Sequence, residues 1–351
     1  MKKTAYTGRC SVAHINSGLS YYINNPGLNL ALLRLVLPAL LCSCHHVVME
    51  DGPVMMRSMQ TLQVNLPVNT LEIFMFETGE MRTLDSYQRF EDNIGWEMQA
   101  ASRKGNRTAF VLANGQWQKE DWMYVSSYDG LREAKTDLEQ ESRCYPVMTG
   151  EVEVSADGRQ TVWVELESLC AEIELRSVSC DFNGKCYEDE GISDMRAYLI
   201  NVNAECRLMP EDVVMPERII NMGELNLADM EGMKEPELLL RYGGMLKSGD
   251  RMELGFQFRC YPNNCPEESP GSPFTRLVIE GKIGGITYYW PVNVARENGG
   301  SGIEADIRYV YDITITGKGS GSPDILVSSE VMSSKMKVSE WEEKEEYVIC
   351  Y

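Results

Sequence analysis

The stretch GEVEVSADGRQTVWVEL, residues 150–166, decides the fold class of this chain. Two runs in which apolar and polar residues alternate, Gly150–Val154 and Gln160–Leu166, flank the dipeptide Asp157-Gly158. A period of two is typical of a strand with one buried face, and Asp-Gly between two such runs favours a tight turn. The stretch therefore predicts a β-hairpin.

Similar runs follow one another along the chain, separated by Gly-, Pro-, Asn- and Asp-rich stretches. The other predicted strands are Gln60–Leu66, Leu71–Phe76, Thr108–Ala113, Glu172–Val178, Ala197–Val202, Arg251–Arg259, Leu277–Glu280, Thr287–Val294, Tyr309–Thr316, Met336–Val338 and Tyr347–Tyr351. One helix is predicted over Asp129–Glu141, with Asp129 as its cap and Leu131, Ala134 and Leu138 on one face.

Many short strands with one short helix predict an all-β protein. We expect two tandem β-sandwich domains of the transthyretin- or immunoglobulin-like type, residues 58–175 and 176–351, with the helix in the first.

The N-terminal segment has the features of an export signal. After Lys2 and Lys3, an apolar stretch from Leu28 to Leu41 leads to a small residue and a cysteine, Ser43-Cys44. About 14 residues are too few to cross a bilayer as a helix. The end of the stretch resembles a bacterial lipoprotein signal, in which the cysteine after the small residue is lipidated. We predict a signal over 1–43, lipid on Cys44 and a tether or propeptide over 44–57; the alternative is a general secretory signal.

The chain has 11 cysteines, many for a cytosolic protein, which agrees with export. Eight lie beyond Cys44, and two pairs, Cys180–Cys186 and Cys260–Cys265, are close enough in sequence for local disulfides. The alternative is that most are free, buried thiols, since a thiol packs like a small hydrophobic group.

Charge and histidine content restrict the chemistry. A formal net charge of −20 argues against nucleic acid or anionic lipid as partners. The three histidines all precede Ser58, so the predicted domains lack a Ser-His-Asp or Cys-His centre and any His-based metal site. We therefore predict no enzyme activity, no cofactor and no metal.

Aromatic residues offer one candidate binding feature. Tyr288, Tyr289 and Trp290 form a cluster that could stack on a sugar. On an alternating strand, the favoured interpretation is one ring in the core and the others on the outer face.

Several segments, in a fixed order, resemble the fimbrillin family of Bacteroidales, the type V fimbrial subunits. The segments are LEIFMFETGEMRTLDSYQRF (71–90), TAFVLANGQ (108–116), YPVMTGEVEV (145–154), MRAYLINVNAE (195–205), SPFTRLVIEGKIGGITYYWPV (272–292), YVYDITITGKGSGSPD (309–324) and VSEWEEKEEYVICY (338–351). The resemblance implies two β-sandwiches, lipid anchoring in the outer membrane or display in a fimbrium, and a structural role in adhesion as a stalk, tip or anchor subunit. Its partners would be other fimbrial subunits and surface ligands; the alternative function is a glycan-binding surface lipoprotein.

The resemblance also implies how subunits join. In the family, an arginine-specific protease trims an N-terminal strand, and a strand of the next subunit fills the resulting groove by β-augmentation. Here the cut would fall between Arg57 and Ser58. Arg57 lies only 13 positions after Cys44, so an untrimmed anchor subunit is the alternative. The candidate donated strand includes Met336, Val338, Trp341, Tyr347 and Ile349; the alternative is that this segment simply closes the second domain.

Overall fold

A computed structural model of the chain describes residues 45–50, 54–58, 68–91, 94, 97–155, 162–222 and 239–340. Residues His45–Glu342 form one compact unit. Its strands are β1 (His45–Glu50), β2 (Val54–Ser58), β3 (Leu71–Glu77), β4 (Leu84–Phe90), β5 (Glu97–Ala100), β6 (Asn106–Ala113), β7 (Lys135–Asp137), β8 (Met148–Ser155), β9 (Val162–Ser168), β10 (Ala171–Cys180), β11 (Ile192–Ile200), β12 (Val202–Asn203), β13 (Glu205–Arg207), β14 (Ile219–Ile220), β15 (Leu239–Leu246), β16 (Arg251–Cys260), β17 (Arg276–Ile283), β18 (Ile286–Asn293), β19 (Ile307–Ile315) and β20 (Met332–Glu340). The α-helix α1 spans Tyr128–Arg132, and 3₁₀ turns span Lys119–Tyr124, Leu138–Gln140 and Glu297–Gly299. The all-β class is confirmed.

The first sandwich is one eight-stranded sheet that folds over on itself, in the order β4-β3-β6-β8-β9-β1-β2-β5. Strands β8 and β9 pair only at Met148↔Ser168 and Thr149↔Glu167, and then separate to pair with β6 and β1. Because the two strands separate, the two halves of the sheet face each other across a core that includes Ile73 of β3. Both predicted strands are thus present as β8 and β9, but their predicted pairing as a hairpin over 150–154 and 162–166 is wrong, because these residues pair with β6 and β1 instead. The predicted turn at 157–158 lies outside the described residues.

The second sandwich consists of two four-stranded sheets, β16-β10-β19-β20 and β15-β11-β17-β18. In the first of these sheets the central pair β10 and β19 is parallel, and the neighbours β16 and β20 are antiparallel to it. Large side chains fill the space between the sheets, among them Trp290, Tyr311 and Phe258, each fully buried.

A single core joins the two sandwiches. The second face of β3 and β6 presents Phe74 and Phe110, which belong to the same buried cluster as Trp122, Cys170 and Tyr261. The sheets change between Ser168 and Ala171, so the predicted boundary at 175/176 falls inside β10.

The predicted helix over Asp129–Glu141 is wrong in both its length and its cap. The helix α1 has five residues and begins after Ser127, whose hydroxyl accepts a hydrogen bond from the Gly130 amide at 3.2 Å. Past α1 the chain leaves the helical path to pair β7 with β13. Leu131 and Leu138 are both buried, as the predicted apolar face requires, but they lie on separate elements.

Two of the predicted strands, Gln60–Leu66 and Tyr347–Tyr351, lie outside the described residues. Within the ranges that the structure describes, we find no helix long and apolar enough to cross a membrane.

Candidate functional site

The candidate site is the N-terminal strand pair, which we define as β1 and β2, and the two strands that flank it. Antiparallel β1 runs along β9 from His45↔Leu166 to Met49↔Val162. Its other side pairs with β2, and β2 pairs with β5 from Val54↔Ala100 to Arg57↔Glu97. The N-terminal strand pair therefore separates β9 from β5 within the sheet.

The strands next to this pair belong to the core of the first sandwich. Val162, Val164 and Leu166 of β9 are buried, and so is Ala100 at the end of β5. All four residues pack in the same cluster as Ile73. Removing the strand pair would therefore leave β9 as an open sheet edge and β5 without its strand partner, both beside an apolar core.

The predicted processing position lies inside β2. The Cα partners of Arg57 are Val48 on β1 and Glu97 on β5, and Ser58 pairs with Val47. Residues 45–50 and 54–58, within the segment predicted as a tether or propeptide, are strands. The predicted lipidation residue, Cys44, lies outside the described residues.

The C-terminal candidate is divided by the limit of the described chain. Met336 and Val338 belong to β20, which closes the second sandwich beside β19, whereas Trp341, Tyr347 and Ile349 lie outside the described residues. The Met336 Sδ accepts a hydrogen bond from the buried Tyr311 hydroxyl at 3.1 Å. In the folded chain, Met336 and Val338 therefore belong to a strand that closes the second sandwich.

Three other edge strands, β18, β4 and β16, carry features that discourage strand addition. Strand β18 is covered at Tyr289, whose backbone exchanges two hydrogen bonds with Ser320, at 3.1 and 2.8 Å. At β4, the Gln88 side chain bonds the backbone of Ala101 in both directions, at 3.0 and 2.9 Å. Strand β16 has a register shift against β10 near Gly255, whose φ of 58° is left-handed.

Both predicted disulfides are wrong. Cys180, Cys186, Cys260 and Cys265 are free thiols, as are Cys170 and Cys206. Cys260 is the last residue of β16 and is buried in the core. The Cys265 thiol instead donates a hydrogen bond to the Asn263 Oδ1 at 3.2 Å, so the two thiols make different contacts. The alternative of buried thiols holds for the free cysteines named here except Cys186, which is exposed. Cys144 is disulfide-bonded, which local spacing did not predict.

The aromatic cluster is not a flat platform. Trp290 is fully buried and donates its indole N–H to the Gly317 carbonyl at 2.9 Å, so the predicted core ring is confirmed. Tyr288 also packs against the main core, 6.4 Å from Trp290 between ring centroids, and Tyr289 alone contacts the small cluster with Tyr198. The expectation of two outer-face rings is therefore wrong, because residues 288 and 290 share a face of β18.

Sequence analysis missed a buried polar network where the sandwiches meet. The Glu141 carboxylate accepts from the Val147 amide at 2.6 Å, the Tyr261 hydroxyl at 2.8 Å and the Gln116 side chain at 3.1 Å. Burial raises the pKa of Glu141. The Thr136 hydroxyl lies 2.8 Å from that of Tyr261. Nothing in the sequence distinguishes Glu141 from its many acidic neighbours.

A second buried carboxylate, Glu72, lies on β3. One oxygen accepts hydrogen bonds from Tyr87 at 2.6 Å, Trp122 at 2.8 Å and Arg89 at 3.1 Å. Burial raises the pKa of Glu72. In the part of the chain that the structure describes, no group of three or more His, Cys, Asp or Glu side chains could hold a metal ion. Each carboxylate accepts hydrogen bonds from residues of other elements.

Comparison with known proteins adds the fold relationship. No protein-family model matches the sequence, and no curated protein matches it. Among solved structures, a "putative cell adhesion protein" from Bacteroides eggerthii DSM 20697 aligns with TM-score 0.61 and 17% identity over 79% of this chain and 90% of that one. Another protein of that name, from Parabacteroides distasonis ATCC 8503, aligns with TM-score 0.59 and 14% identity over 84% and 96%. A fimbrilin from Porphyromonas gingivalis W83 aligns with TM-score 0.56 and 13% identity over 85% and 97%.

Proposed function

We propose that this chain, which has the fimbrillin-like fold that the sequence resemblance predicted, is a structural subunit of a cell-surface fimbria that supports adhesion. The similarity covers most of this chain and nearly all of the fimbrilin, so it includes both sandwiches. A fold by itself does not determine a function. The proposal therefore also depends on the sheet that holds the N-terminal strand pair.

The observation that carries the proposal is the position of that strand pair. Both strands sit between β9 and β5, and Arg57 is the second-last residue of β2. A cut after Arg57 would leave only Ser58 of the two strands on the body of the protein. Release of the rest would expose unpaired N–H and C=O groups on β9 and β5, beside Val164 and Ala100 of the core.

Such a gap suits a strand from another subunit. Its backbone would restore the ladder along β9, and its alternate side chains would cover the exposed core beside that strand. Because the gap is two strands wide, pairing with β5 as well would need a second strand or a shift of β5. We propose that subunits join in this way, that Cys44 carries lipid in the outer membrane before assembly, and that the chain has no enzyme activity. The donated strand would come from the C-terminal segment that begins in β20.

The first test is mass spectrometry of the N-terminus of the protein isolated from its own outer membrane and from sheared surface filaments. We expect a lipidated chain beginning at Cys44 in the membrane and a chain beginning at Ser58 in the filaments. An acylated, uncut chain at the base of the filaments would assign an anchor role. A protein that is absent from filaments and begins at neither residue would refute the proposal.

A further inference from the structure

The N-terminal strand pair leads to an inference about its own removal, which rests on the proposed function. Arg57 lies in a strand that is paired on both sides: β2 aligns with β1 over four Cα pairs, Val47↔Ser58 to Glu50↔Met55, and with β5 over four more, Val54↔Ala100 to Arg57↔Glu97. Proteolytic nicking concentrates at exposed loop tips rather than in paired strands. The position is therefore a poor protease site while the sheet is intact.

A protease needs several residues of free, extended chain on either side of the bond it cuts. To present Arg57 in that form, β2 must lose its pairing with β5 at Met56 and Arg57 and with β1 at the same residues. A strand stays paired until its region of the protein opens locally. The free energy of local opening differs between parts of a protein.

We propose that local opening of β2 from β5 controls processing at Arg57, so that the folded sheet itself regulates when a subunit becomes competent to assemble. The partner is an arginine-specific protease that acts on the open form. When opening and closing are fast compared with cleavage, the cleavage rate follows the population of the open form. A subunit with a closed sheet stays uncut, and its core edge stays covered.

A reversible disulfide cross-link between β2 and β5 can test this inference. Met56 and Met98 are Cα partners on β2 and β5. Directly opposed residues of antiparallel strands are about 4.5–5.5 Å apart at Cα, within the range that a disulfide spans. The variant Met56→Cys/Met98→Cys, made with Cys186→Ser to remove the exposed thiol, would hold β2 on β5 when oxidised and release it when reduced.

The experiment incubates the full chain with a purified arginine-specific endoprotease and follows the new N-terminus at Ser58 by mass spectrometry. We expect cleavage to be at least about tenfold slower in the oxidised form than in the same protein after reduction. The Cys186→Ser chain without the new cysteines, treated in the same way, gives the change that reduction of the Cys144 disulfide alone causes. A matched cross-link elsewhere, Lys282→Cys/Thr287→Cys between β17 and β18, should leave the rate unchanged in either form. Cleavage of the reduced chain only after addition of urea would also support control by opening.

Equal rates in the oxidised and reduced forms, compared at a urea concentration at which the reduced form is cut, would overturn the inference, as would resistance of the urea-unfolded chain at Arg57. Assembly is measured separately, by electron microscopy of the chain that begins at Ser58. If the cut chain stays monomeric, strand exchange between subunits fails although control by opening stands. If the cut chain polymerises but the cross-link has no effect on cleavage, the proposed function stands and this inference fails.

Discussion

Replacing Tyr261 by Phe should destabilise the protein strongly for the loss of a single oxygen atom. Tyr261 is fully buried, and its hydroxyl donates to the Glu141 carboxylate at 2.8 Å. Because the Tyr261 hydroxyl proton is used in that bond, the Thr136 hydroxyl is the donor in the hydrogen bond between Thr136 and Tyr261, which is also 2.8 Å long. The variant fills nearly the same volume, so it removes two buried hydrogen bonds and leaves the Thr136 hydroxyl without its partner.

The magnitude follows from these two contacts. Leaving a buried polar group unsatisfied costs about 1–3 kcal/mol, so we expect the free energy of unfolding to fall by about 3 kcal/mol in total. With an unfolding entropy of about 2.1 cal/mol/K per residue over roughly 300 residues, this corresponds to a Tm lower by about 5 °C. The shared core predicts that both sandwiches unfold in the same transition.

Urea unfolding followed by tryptophan fluorescence, with calorimetry for Tm, measures both quantities. Tyr124→Phe is the matched control, because Tyr124 is 89% exposed, and its unfolding free energy should change by less than about 0.5 kcal/mol. In a Thr136→Val background the Tyr261→Phe change should cost less, because no hydroxyl is then left unpaired. A loss below about 0.5 kcal/mol for Tyr261→Phe would refute the assigned network.

Three further predictions concern other parts of the molecule. Hydrogen bonds from Arg176 hold the pKa of Asp312 at about 2, below the usual range of an aspartate. Asp312→Asn should therefore lower the free energy of unfolding by about 1 kcal/mol above pH 4 after solvent screening, and the difference from the parent in urea unfolding should disappear as the pH falls through about 2. A difference that is independent of pH would contradict this. Gly150→Ala should lower soluble yield and Tm, because a Cβ at that position would lie 2.1 Å from the Glu165 carbonyl oxygen. Gly79→Ala is the control, because a Cβ there meets no atom within 4 Å. Equal Tm values for the two variants would refute the close approach of β8 and β9. Under native conditions a thiol reagent should label Cys186 first among the free cysteines of the described chain, because the others are buried, and peptide mapping that recovers a disulfide at Cys186 would count against the assignment.

Period-two alternation was enough to locate most strands, because a strand with one buried face must alternate. The predicted strand Arg251–Arg259, which lies in β16, alternates in this way. By contrast, β4, Leu84–Phe90, escaped notice: its residues are all half-buried, so its sequence LDSYQRF shows no clear alternation. The helix over 129–141 failed for a different reason, since Leu131 and Leu138 face one core from two elements that only the pairing of β7 with β13 separates.

The site could be anticipated only as far as local signals reach. Arg57 stands out as the basic residue before a predicted strand, but its pairing with Glu97 depends on a contact between residues 40 positions apart. The thiols illustrate the same limit: the short spacing of Cys260 and Cys265 permits a disulfide, but Cys260 packs in the core at the end of β16 and both thiols are free. Sequence spacing constrains which groups can meet, whereas the sheet decides which of them do.

The core shared by the two sandwiches has a mechanical consequence. Phe74 from the first sandwich and Tyr261 from the second belong to one apolar cluster, and the Glu141 network lies at the same junction. Bending the subunit there would expose apolar surface to water and break buried hydrogen bonds. A filament built from such subunits would therefore bend at the interfaces between subunits. Its stiffness would depend on those interfaces and not on the subunits themselves.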